Sequence, residues 1–274
     1  MILIDGNNLY ARYYARLGFM VINNCNVGGM FGFLRNLYSL SKKFNDNILV
    51  IWDGKNGKDV RRRICPEYKR NRTFKFDDNF LSSKEELFNV LKNYCGIPEV
   101  KMDNWEADDI IGYIVNAITN FSSTLKDEHI YIVSNDKDFW QLISDKVFIV
   151  MKDKIFGLPE LEKETGCISG KEFLACRVLA GDPSDNIIGA EKIGLKRALK
   201  IVRSGKTNID VYKDIIEKNM ELMRLDNKLI EVDFIHGKTN LEEYICWCMK
   251  YTFKTLVEDA EDFIANNTRG NNRS

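Results

Sequence analysis

The sequence is poor in the residues that most often bind zinc or activate a serine nucleophile. Its 274 residues include only two histidines, His129 and His236, and neither lies near another candidate ligand in the sequence. The seven cysteines are an odd number, and only Cys246 and Cys248 lie close together, at a spacing unlike the CxxC of metal and redox sites. Histidine-based zinc chemistry and a Ser-His-Asp triad are therefore disfavoured. The cysteines fit reduced thiols in the protein core.

Long hydrophobic runs are missing as well. No stretch approaches the roughly 20 apolar residues that a membrane-spanning helix needs. The chain begins with MILIDG, without the basic region and cleavage site of a secretory signal. A hydrophobic content of 45% in a chain of this length supports one substantial core and a smaller second lobe. We therefore predict a folded cytoplasmic protein that has no membrane partner, and, since nothing indicates an obligate dimer, a monomer.

Strands and helices alternate along the chain, and aspartates follow the strands. Short apolar runs rich in β-branched residues alternate with longer segments of helical period, which is typical of an α/β fold with a mostly parallel sheet. The predicted strands cover residues 1–4, 48–52, 130–134 and 147–150. Asp5 and Asp53 follow the first two strands, and Asp136 and Asp138 follow the third. Because the carboxyl ends of parallel strands lie along one sheet edge, we predict that these carboxylates converge.

Five further acids stand near helix starts and turns. Glu106, Asp108 and Asp109 open a helical pattern in WEADDIIGYI, where helical spacing places the apolar residues on one face and the acids on the other. Asp182 and Asp185 stand three residues apart before a glycine-containing turn. Taken singly, each acid has a structural alternative, because acids cap helices, start turns and stabilise the first helical turn by about 0.3–1 kcal/mol. The repetition at strand ends favours a shared site.

The nine acids together predict bound cations. So many carboxylates in one cleft would repel one another and have raised pKa values unless cations bind there. Hard oxygen ligands without histidine or cysteine predict Mg²⁺, for which Mn²⁺ can substitute. The number of acids predicts two ions.

Basic residues are concentrated in two segments. Residues 58–75 contain eight basic and two acidic residues, with Tyr68, Phe74 and Phe76 in or just beyond the segment. This pattern favours contacts to a nucleic-acid backbone and base stacking on a single strand, with an exposed charged loop as the structural alternative. The segment 189–206 carries six basic residues and one acid, which predicts a helix–hairpin–helix that binds phosphate.

The net charge of zero conceals this segregation. Without the nine acids the formal charge of the remaining residues is +9, from 40 basic and 31 acidic side chains. A negative cleft in an otherwise positive protein suits a metal-dependent enzyme that acts on a polyanion.

Six motifs then identify a family. IDGNNLYAR, VIWDGK, EYKRNR, EADDIIG, SNDKDF and GDPSDNIIGAEKIGLKRA occur in this order. From Met1 to about Lys206 the sequence resembles the 5′-nuclease family, which comprises flap endonucleases, tailed-phage 5′-to-3′ exonucleases and the N-terminal nuclease domain of bacterial DNA polymerase I. Its compact length without an attached polymerase is most similar to the phage exonucleases. For a phage-encoded protein, the expected compartment is the cytoplasm of the bacterial host.

The resemblance implies a fold and a division of the chain. The expected core is a PIN-like α/β domain over residues 1–180, with a mostly parallel central sheet flanked by helices and a helical arch at about 64–104. A helix–three-turn–helix motif that binds duplex DNA is expected at 181–206. We also predict a C-terminal helical region at 207–265 that packs on the core, and a flexible tail at 266–274.

The resemblance also implies a role for individual residues. The tighter metal set matches Asp5, Asp53, Glu106, Asp108 and Asp136, and the acids around a second metal match Asp109, Asp138, Asp182 and Asp185. Lys69 and Arg72 are expected to stabilise charge on the scissile phosphate, which makes them catalytic residues together with Asp108 and Asp136. Tyr68 is expected to stack a base. The predicted DNA contacts are Arg12, Tyr68, Lys69, Arg70, Arg72, Lys192, Gly194, Lys196 and Arg197.

One position departs from the family pattern. The hairpin of the family usually reads GxxGIG, with backbone carbonyls that hold a monovalent cation such as K⁺ beside the DNA backbone. Here the middle glycine is Lys192. A residue with a Cβ disfavours a positive φ, which argues against the K⁺ site and leaves Lys192 as a direct phosphate contact.

The sequence therefore predicts an Mg²⁺-dependent, structure-specific 5′-to-3′ exonuclease and flap endonuclease that hydrolyses DNA by a two-metal mechanism. Its expected substrates are flaps, nicks and RNA/DNA primer junctions, its products a 5′-phosphate and a 3′-hydroxyl, and its expected role primer or flap removal in replication beside a polymerase. The main alternative is a catalytically inactive protein that binds branched DNA, which would gain nothing from nine acids. A haloacid-dehalogenase-like phosphatase would need DxD after the first strand, and a PIN-domain ribonuclease would not need the duplex-binding lobe.

Overall fold

A computed structural model describes the chain except for residues 23, 72–76, 122–127, 153, 206–209, 226–230 and 272–274. Its helices are α1 (Gly6–Arg16), α2 (Gly28–Phe44), α3 (Asp59–Ile64), α4 (Asp78–Asn93), α5 (Ala107–Phe121), α6 (Leu158–Thr165), α7 (Gly170–Ala180), α8 (Leu195–Ser204), α9 (Lys213–Met223), α10 (Leu241–Lys250), α11 (Lys254–Glu258) and α12 (Ala260–Asn271). Its strands are β1 (Ile2–Asp5), β2 (Val21–Ile22), β3 (Cys25–Asn26), β4 (Ile48–Asp53), β5 (Glu99–Met102), β6 (Ile130–Val133), β7 (Val147–Met151), β8 (Lys154–Phe156), β9 (Gly181–Asp182) and β10 (Ile187–Ile188).

The fold is mixed α/β with a mostly parallel central sheet flanked by helices, as the sequence predicts. The chain divides into two compact units. The first comprises Met1–Asp53, Lys75–Met102 and Val232–Ser274, and the second comprises Gly54–Phe74 and Asp103–Glu231. None of the helices in the described part of the chain combines the length and the apolar composition needed to cross a bilayer.

Three parallel strands form the sheet of the first unit. β4 pairs with β1 on one side and with β5 on the other. Ile2, Leu3 and Ile4 of β1 are fully buried, as continuous apolar runs in a parallel sheet should be. Helix α1 packs on α2, and α2 also packs on α4 and α12. The carboxyl ends of β1 and β4 therefore stand side by side on a buried scaffold.

The close packing of β4 and α1 depends on a glycine. A Cβ on Gly6 would lie 2.6 Å from the ring of Trp52, which is shorter than a carbon–carbon contact allows. Gly6 is the first residue of α1, and Trp52 is the penultimate residue of β4. The indole consequently lies directly against the start of the helix, stacked on Phe33 with 5.5 Å between ring centroids.

The second unit has its own strands and core. β6 pairs in parallel with β7, and β8 returns antiparallel to β7. Helix α7 packs against α8 and α9, and a core cluster gathers the side chains of Tyr68, Val178, Ile187, Leu222 and Met223. This cluster packs the segment after α3 against helices α7 and α9. It therefore holds in place the two loops that carry Lys69 and Asp185, which are predicted site residues.

The structure gives the elements that lie within three of the expected regions. In the region expected as an arch, at about 64–104, α4 buries Phe80, Leu87 and Leu91, and β5 is a strand of the sheet. Helix α7 ends directly before the motif expected at 181–206, and α8 lies within it. At the C-terminus, α12 continues to Asn271 through most of the stretch predicted as a tail from 266.

A buried carboxyl lies on β5. Glu99 is fully buried, and its Oε1 accepts a hydrogen bond from Trp52 Nε1 at 2.6 Å. Its Oε2 has no hydrogen-bond partner within the residues that the structure covers. Burial, only partly opposed by the Trp52 hydrogen bond and nearby lysines, raises the pKa of Glu99 from 4.5 to about 8. The carboxyl is consequently neutral near pH 7.

We predict that Glu99→Gln removes a pH-dependent loss of stability. Between pH 4.5 and 8 the folded state holds a proton that the unfolded state releases, so stability falls as pH rises, by about 5 kcal/mol in total. Glutamine keeps the shape and acceptor without the charge. The variant should match the unsubstituted protein near pH 5 and exceed its free energy of unfolding near pH 9, measured by urea denaturation. Exposed Glu164→Gln is the control; parallel pH profiles for Glu99→Gln and the unsubstituted protein would contradict the prediction.

Candidate metal centre

Two predicted metal ligands lie in the first unit at adjacent strand ends. Asp5 is the last residue of β1, and its Oδ1 accepts a hydrogen bond from the backbone N–H of Asn8 at 3.1 Å, which caps α1. Asp53 is the last residue of β4, and its Oδ2 accepts a hydrogen bond from Asn7 Nδ2. Asp5 therefore does cap a helix, which is the structural alternative to a metal ligand. Its carboxylate nevertheless lies at the carboxyl end of β1, where the metal site is predicted.

The acids that open α5 surround a buried arginine. Arg61, on α3, is only 2% exposed, and its Nη1 donates to Glu106 at 2.6 Å. Both oxygens of Asp109 accept from the guanidinium, at 2.7 and 2.8 Å, while Asp108 Oδ1 lies 3.6 Å from Nη1. Arg61 Nε also donates to the carbonyl of Leu222 at 2.8 Å. A protein side chain therefore neutralises much of the repulsion between these three acids.

This arrangement corrects the expected orientation of the helix. We predicted that all three acids lie opposite the packed face of α5, but Glu106 and Asp109 are buried, and only Asp108 is partly exposed. Both oxygens of Asp109 accept hydrogen bonds from the Arg61 guanidinium, so this carboxylate points into the interior of the second unit and away from solvent. Asp108 is the acid of this group with the most access to solvent.

Glu106 accepts two more hydrogen bonds from the residues after α3. Tyr68 donates its hydroxyl to Glu106 Oε2 at 3.1 Å, and Lys69 Nζ donates to Oε1 at 2.8 Å. Lys69 Nζ also lies 3.7 Å from Asp185 Oδ2, and the backbone N–H of Lys69 donates to the Asp185 carbonyl at 3.0 Å. The Tyr68 ring is part of the core cluster, so in this structure it offers no exposed face to a base.

The backbone at Lys69 is in a conformation that L-residues rarely adopt. Its φ is +54°, and that of Asn186, which follows Asp185, is +58°. Left-handed conformations cost about 1 kcal/mol or more for a lysine, and they persist only where surrounding contacts impose them. The hydrogen bonds between this turn and the segment around Asp185 supply those contacts.

A second group of acids lies around Arg177. Its Nη2 donates to Asp138 Oδ1 at 2.9 Å and to Asp182 Oδ2 at 2.6 Å. Asp182 also accepts from the backbone N–H and the hydroxyl of Ser184 at 2.9 and 2.7 Å. Asp136 ends the loop after β6 and accepts from the backbone N–H of Asp138 at 2.9 Å. Arg177 thus has the same role here that Arg61 has beside α5.

The surroundings shift the pKa of several of these groups. Burial and the charge of Asp136, opposed by the charge of Arg177, together raise the pKa of Asp138 to about 7. Burial also raises the pKa of Asp136, an effect to which Asp108 adds. Although burial opposes it, the charges of Asp108 and Asp109 hold the pKa of Arg61 well above its usual value. The acids that contact Arg61, Arg177 and Lys69 are therefore partly compensated, and Asp138 is repelled by Asp136 in spite of its bond to Arg177.

Among the residues that the structure describes, two sets of carboxylates have the proximity that a metal ion requires. In Glu106, Asp108 and Asp109, and again in Asp138, Asp182 and Asp185, one ligand oxygen per residue lies within 4.8 Å of the others. Carboxylate oxygens without histidine or cysteine suit hard cations such as Mg²⁺, Mn²⁺ and Ca²⁺. Both sets lie in the second unit. In the first, the three acids are close in the sequence; in the second, the fold brings Asp138 close to Asp182 and Asp185.

The sequence interpretation missed Arg61 and Arg177. It assigned Arg61 to a basic segment that contacts DNA, and it gave Arg177 no role. The sequence contains one indication of a buried arginine near α5. Arg61, Arg62 and Arg63 lie on one short helix, where a spacing of about 100° per residue points the three side chains in different directions, so one of them can face the interior. Only the packing of α3 decides which arginine that is.

The predicted DNA contacts are mostly exposed. Arg12, on α1, is partly buried and lies over the ring of Tyr13 at 5.1 Å. Arg70 is exposed and pairs with Glu67 at 2.8 Å. Lys196 and Arg197 are exposed in the first turn of α8, and Gly194 caps that helix in open space. Arg72 and Lys206 lie outside the described residues.

Lys192 adopts the backbone conformation that we expected it to avoid. Its φ is +60°, in the left-handed region where glycine is favoured. Its exposed ammonium lies 3.3 Å from Glu191. The turn thus keeps the shape that a glycine would give it, and the argument against a cation site that rests on backbone shape does not hold.

Comparison with known proteins identifies the family. A family model described as "5'-3' exonuclease, N-terminal resolvase-like domain" matches residues 1–166. A 5'-3' exonuclease of Buchnera aphidicola is 31% identical over 242 residues, which cover 87% of this chain and 82% of that protein. The flap endonuclease of Escherichia phage T5 is 26% identical over 225 residues, which cover 78% and 73%.

Solved structures agree at the level of the fold. The T5 D15 protein co-crystallised with metal ions matches with a TM-score of 0.66 at 21% identity, covering 97% of this chain and 98% of that one. The catalytic core of Rad2 in complex with DNA matches with a TM-score of 0.53 at 15% identity, covering 91% and 87%. The family model, which spans more than half of the sequence, and the 31% identical exonuclease of Buchnera aphidicola establish that the chain belongs to the 5′-3′ exonuclease family and is a nuclease.

Proposed function

We propose that the protein is an Mg²⁺-dependent, structure-specific 5′-to-3′ exonuclease and flap endonuclease that hydrolyses DNA phosphodiesters with two metal ions. The observation that carries this proposal is the pair of carboxylate sets, Glu106 with Asp108 and Asp109, and Asp138 with Asp182 and Asp185, each with ligand oxygens within 4.8 Å of one another. A protein that only binds a polyanion would be weakened by such sets.

The donors fit hard divalent ions, and Mn²⁺ should substitute for Mg²⁺. The proposed ligands are Glu106, Asp108, Asp109, Asp136, Asp138, Asp182 and Asp185, and Arg61 orients Glu106 and Asp109. Asp5 and Asp53 are further proposed ligands by resemblance. When bound, the ions supply Lewis-acid chemistry, which makes water more acidic and stabilises negative charge on a phosphate.

The chain's own cations then act on the substrate. Lys69 Nζ lies among the carboxylates, 2.8 Å from Glu106 and 3.7 Å from Asp185, so it is placed to stabilise charge on a phosphate held there. Arg72 is proposed for the same task on resemblance alone. Lys192, Lys196 and Arg197 are exposed around the N-terminus of α8, where backbone N–H groups and lysines suit a duplex phosphate.

The relatives support a role in DNA replication. They include a phage flap endonuclease and thermostable DNA polymerase I of Thermus thermophilus, of which this chain covers 33%. We propose that the protein removes primers or flaps, with nicked, flapped and primer-junction DNA as substrates and a separate polymerase as a partner. For the hairpin we propose direct phosphate contact by Lys192, and the turn's left-handed backbone also permits K⁺.

The decisive experiment is cleavage of a 5′-flap DNA labelled on the flap strand, in Mg²⁺ and in EDTA, with binding measured in parallel in Ca²⁺. Metal-dependent cuts near the junction of single strand and duplex, leaving a 3′-hydroxyl, are the expected result. Tight binding of the branched DNA with no cut in Mg²⁺ or Mn²⁺ would instead identify a DNA-binding protein.

A further inference from the structure

Lys84, on α4, lies beside a predicted metal ligand although no motif includes it. Its Nζ donates a hydrogen bond to Asn7 Oδ1 at 3.2 Å, and Asn7 Nδ2 donates to Asp53 Oδ2. The three side chains come from helix α4, the start of α1 and the end of β4, all within the first unit. They form a hydrogen-bonded chain from an ammonium through an amide to a carboxylate.

The chemistry of the end groups permits only one orientation of the amide. An ammonium has donors and no acceptor, and an ionised carboxylate has acceptors and no donor. Asn7 can therefore bond to both only with its oxygen towards Lys84 and its nitrogen towards Asp53. If the Lys84 donor were removed, this chain of bonds would hold the amide in that orientation only through its hydrogen bond to Asp53, and the oxygen of Asn7 would lose its partner.

The ammonium of Lys84 is held in place by a rigid neighbour. It lies 5.7 Å from the centroid of the Trp52 ring, a distance typical of a cation–π contact. Trp52 in turn donates to Glu99, stacks on Phe33 and lies against Gly6. Burial lowers the pKa of Lys84, and the charge of Asp53 opposes that shift. The lysine is thus partly withdrawn from water and interacts electrostatically with the carboxylate.

We propose that Lys84 is a positioning residue that orients the Asp53 carboxylate for a divalent ion. This inference rests on the proposed function, in which Asp53 is a metal ligand. Lys84 fixes the Asn7 amide, and the amide holds one oxygen of Asp53, so the carboxylate is ordered before an ion arrives. Side chains that orient metal ligands through hydrogen bonds commonly change metal affinity by 10–100-fold when they are replaced.

The orienting effect and the charge of Lys84 act in opposite directions. Removing a positive charge near a cation site would strengthen cation binding, whereas losing the orientation of Asp53 would weaken it. The sign of the change in metal affinity therefore distinguishes an orienting lysine from a lysine that merely competes with the ion.

The test is Mn²⁺ binding to the DNA-free protein, measured by electron paramagnetic resonance and calorimetry at 0.15 M salt. We expect Lys84→Met to weaken binding by about tenfold and Lys84→Arg, which keeps charge and donors, to restore most of it. The control is Lys92→Met, an exposed lysine two turns further along α4, with unchanged affinity. Unchanged or tighter binding by Lys84→Met would overturn the proposal.

A double-substitution cycle tests whether Lys84 acts through Asn7. Asn7→Ala alone should weaken Mn²⁺ binding to a similar extent, and in that background Lys84→Met should weaken it no further. Additive losses would overturn the proposal. Thermal unfolding in EDTA checks that each variant is folded. If Lys84→Met does not fold, the test uses Asn7→Ala, which keeps the lysine and should weaken Mn²⁺ binding by about tenfold.

The outcomes also separate this inference from the proposed function. If the unsubstituted protein binds Mn²⁺ and cuts flap DNA while Lys84→Met and Asn7→Ala bind Mn²⁺ equally well, only the positioning role is overturned. If the unsubstituted protein neither binds Mn²⁺ nor cuts, the proposed function fails and this inference fails with it.

Discussion

Arg61→Met is expected to lower the free energy of unfolding by about 3–5 kcal/mol in EDTA, because it leaves buried acids without their counter-ion. Arg61 donates to Glu106, to both oxygens of Asp109 and to the Leu222 carbonyl. Methionine preserves much of the packing volume but none of these donors. The measurement is urea denaturation monitored by tryptophan fluorescence.

The matched control is Arg63→Met, an exposed arginine on the same short helix, for which we expect a change within about 0.5 kcal/mol. Adding Mg²⁺ should restore part of the stability of Arg61→Met, because an ion that binds only the folded state stabilises it by mass action. A loss below about 1 kcal/mol in EDTA would mean that the acids are neutralised by some other route, such as protonation.

Asp108→Ala is expected to abolish cleavage while it preserves DNA binding. Asp108 is the most exposed acid of its set, and its removal takes away a proposed ligand without breaking a short hydrogen bond to Arg61. A fall of at least about 10³-fold in kcat corresponds to roughly 4 kcal/mol of transition-state stabilisation. Single-turnover cleavage of a 5′-flap in Mg²⁺, together with binding of the same DNA in Ca²⁺, gives the two quantities.

Asp145→Ala serves as the control, because Asp145 is an exposed acid in the turn before β7 and belongs to neither set. It should cleave like the unsubstituted protein. If Asp108→Ala loses binding and thermal stability together with cleavage, Asp108 supports the fold and its proposed role as a ligand is wrong. If Asp108→Ala retains cleavage, the set around α5 is not part of the metal centre.

The strand ends and most of the acids could be predicted from the sequence, because they depend on local rules. A β-branched run followed by aspartate is visible in one dimension, and the structure has β1, β4, β6 and β7 at the predicted places. β5 was missed, since EVKM is a strand of only four residues, two of them charged, and its conformation depends on pairing with β4. α12 was ended too early because its asparagines are poor helix formers.

The internal counter-ions could not be predicted in the same way. Arg61, Arg62 and Arg63 are equivalent in sequence, and the choice of the buried one depends on how α3 packs near α5 and α9. Lys69 and Tyr68 were assigned to the substrate from their motif, but burial directs both towards Glu106. The residue types indicate a charged cluster, and only the tertiary structure decides which charges face each other.

The left-handed turn at Lys192 has a consequence for how this protein can change over time. Since the loop holds φ near +60° with a lysine in place, its shape does not depend on glycine. Another side chain at this position would meet a similar conformational cost, so the charge beside the proposed duplex contact can vary by substitution while the loop geometry stays the same. Affinity for the nucleic-acid backbone, and its sensitivity to salt, are thereby open to gradual adjustment.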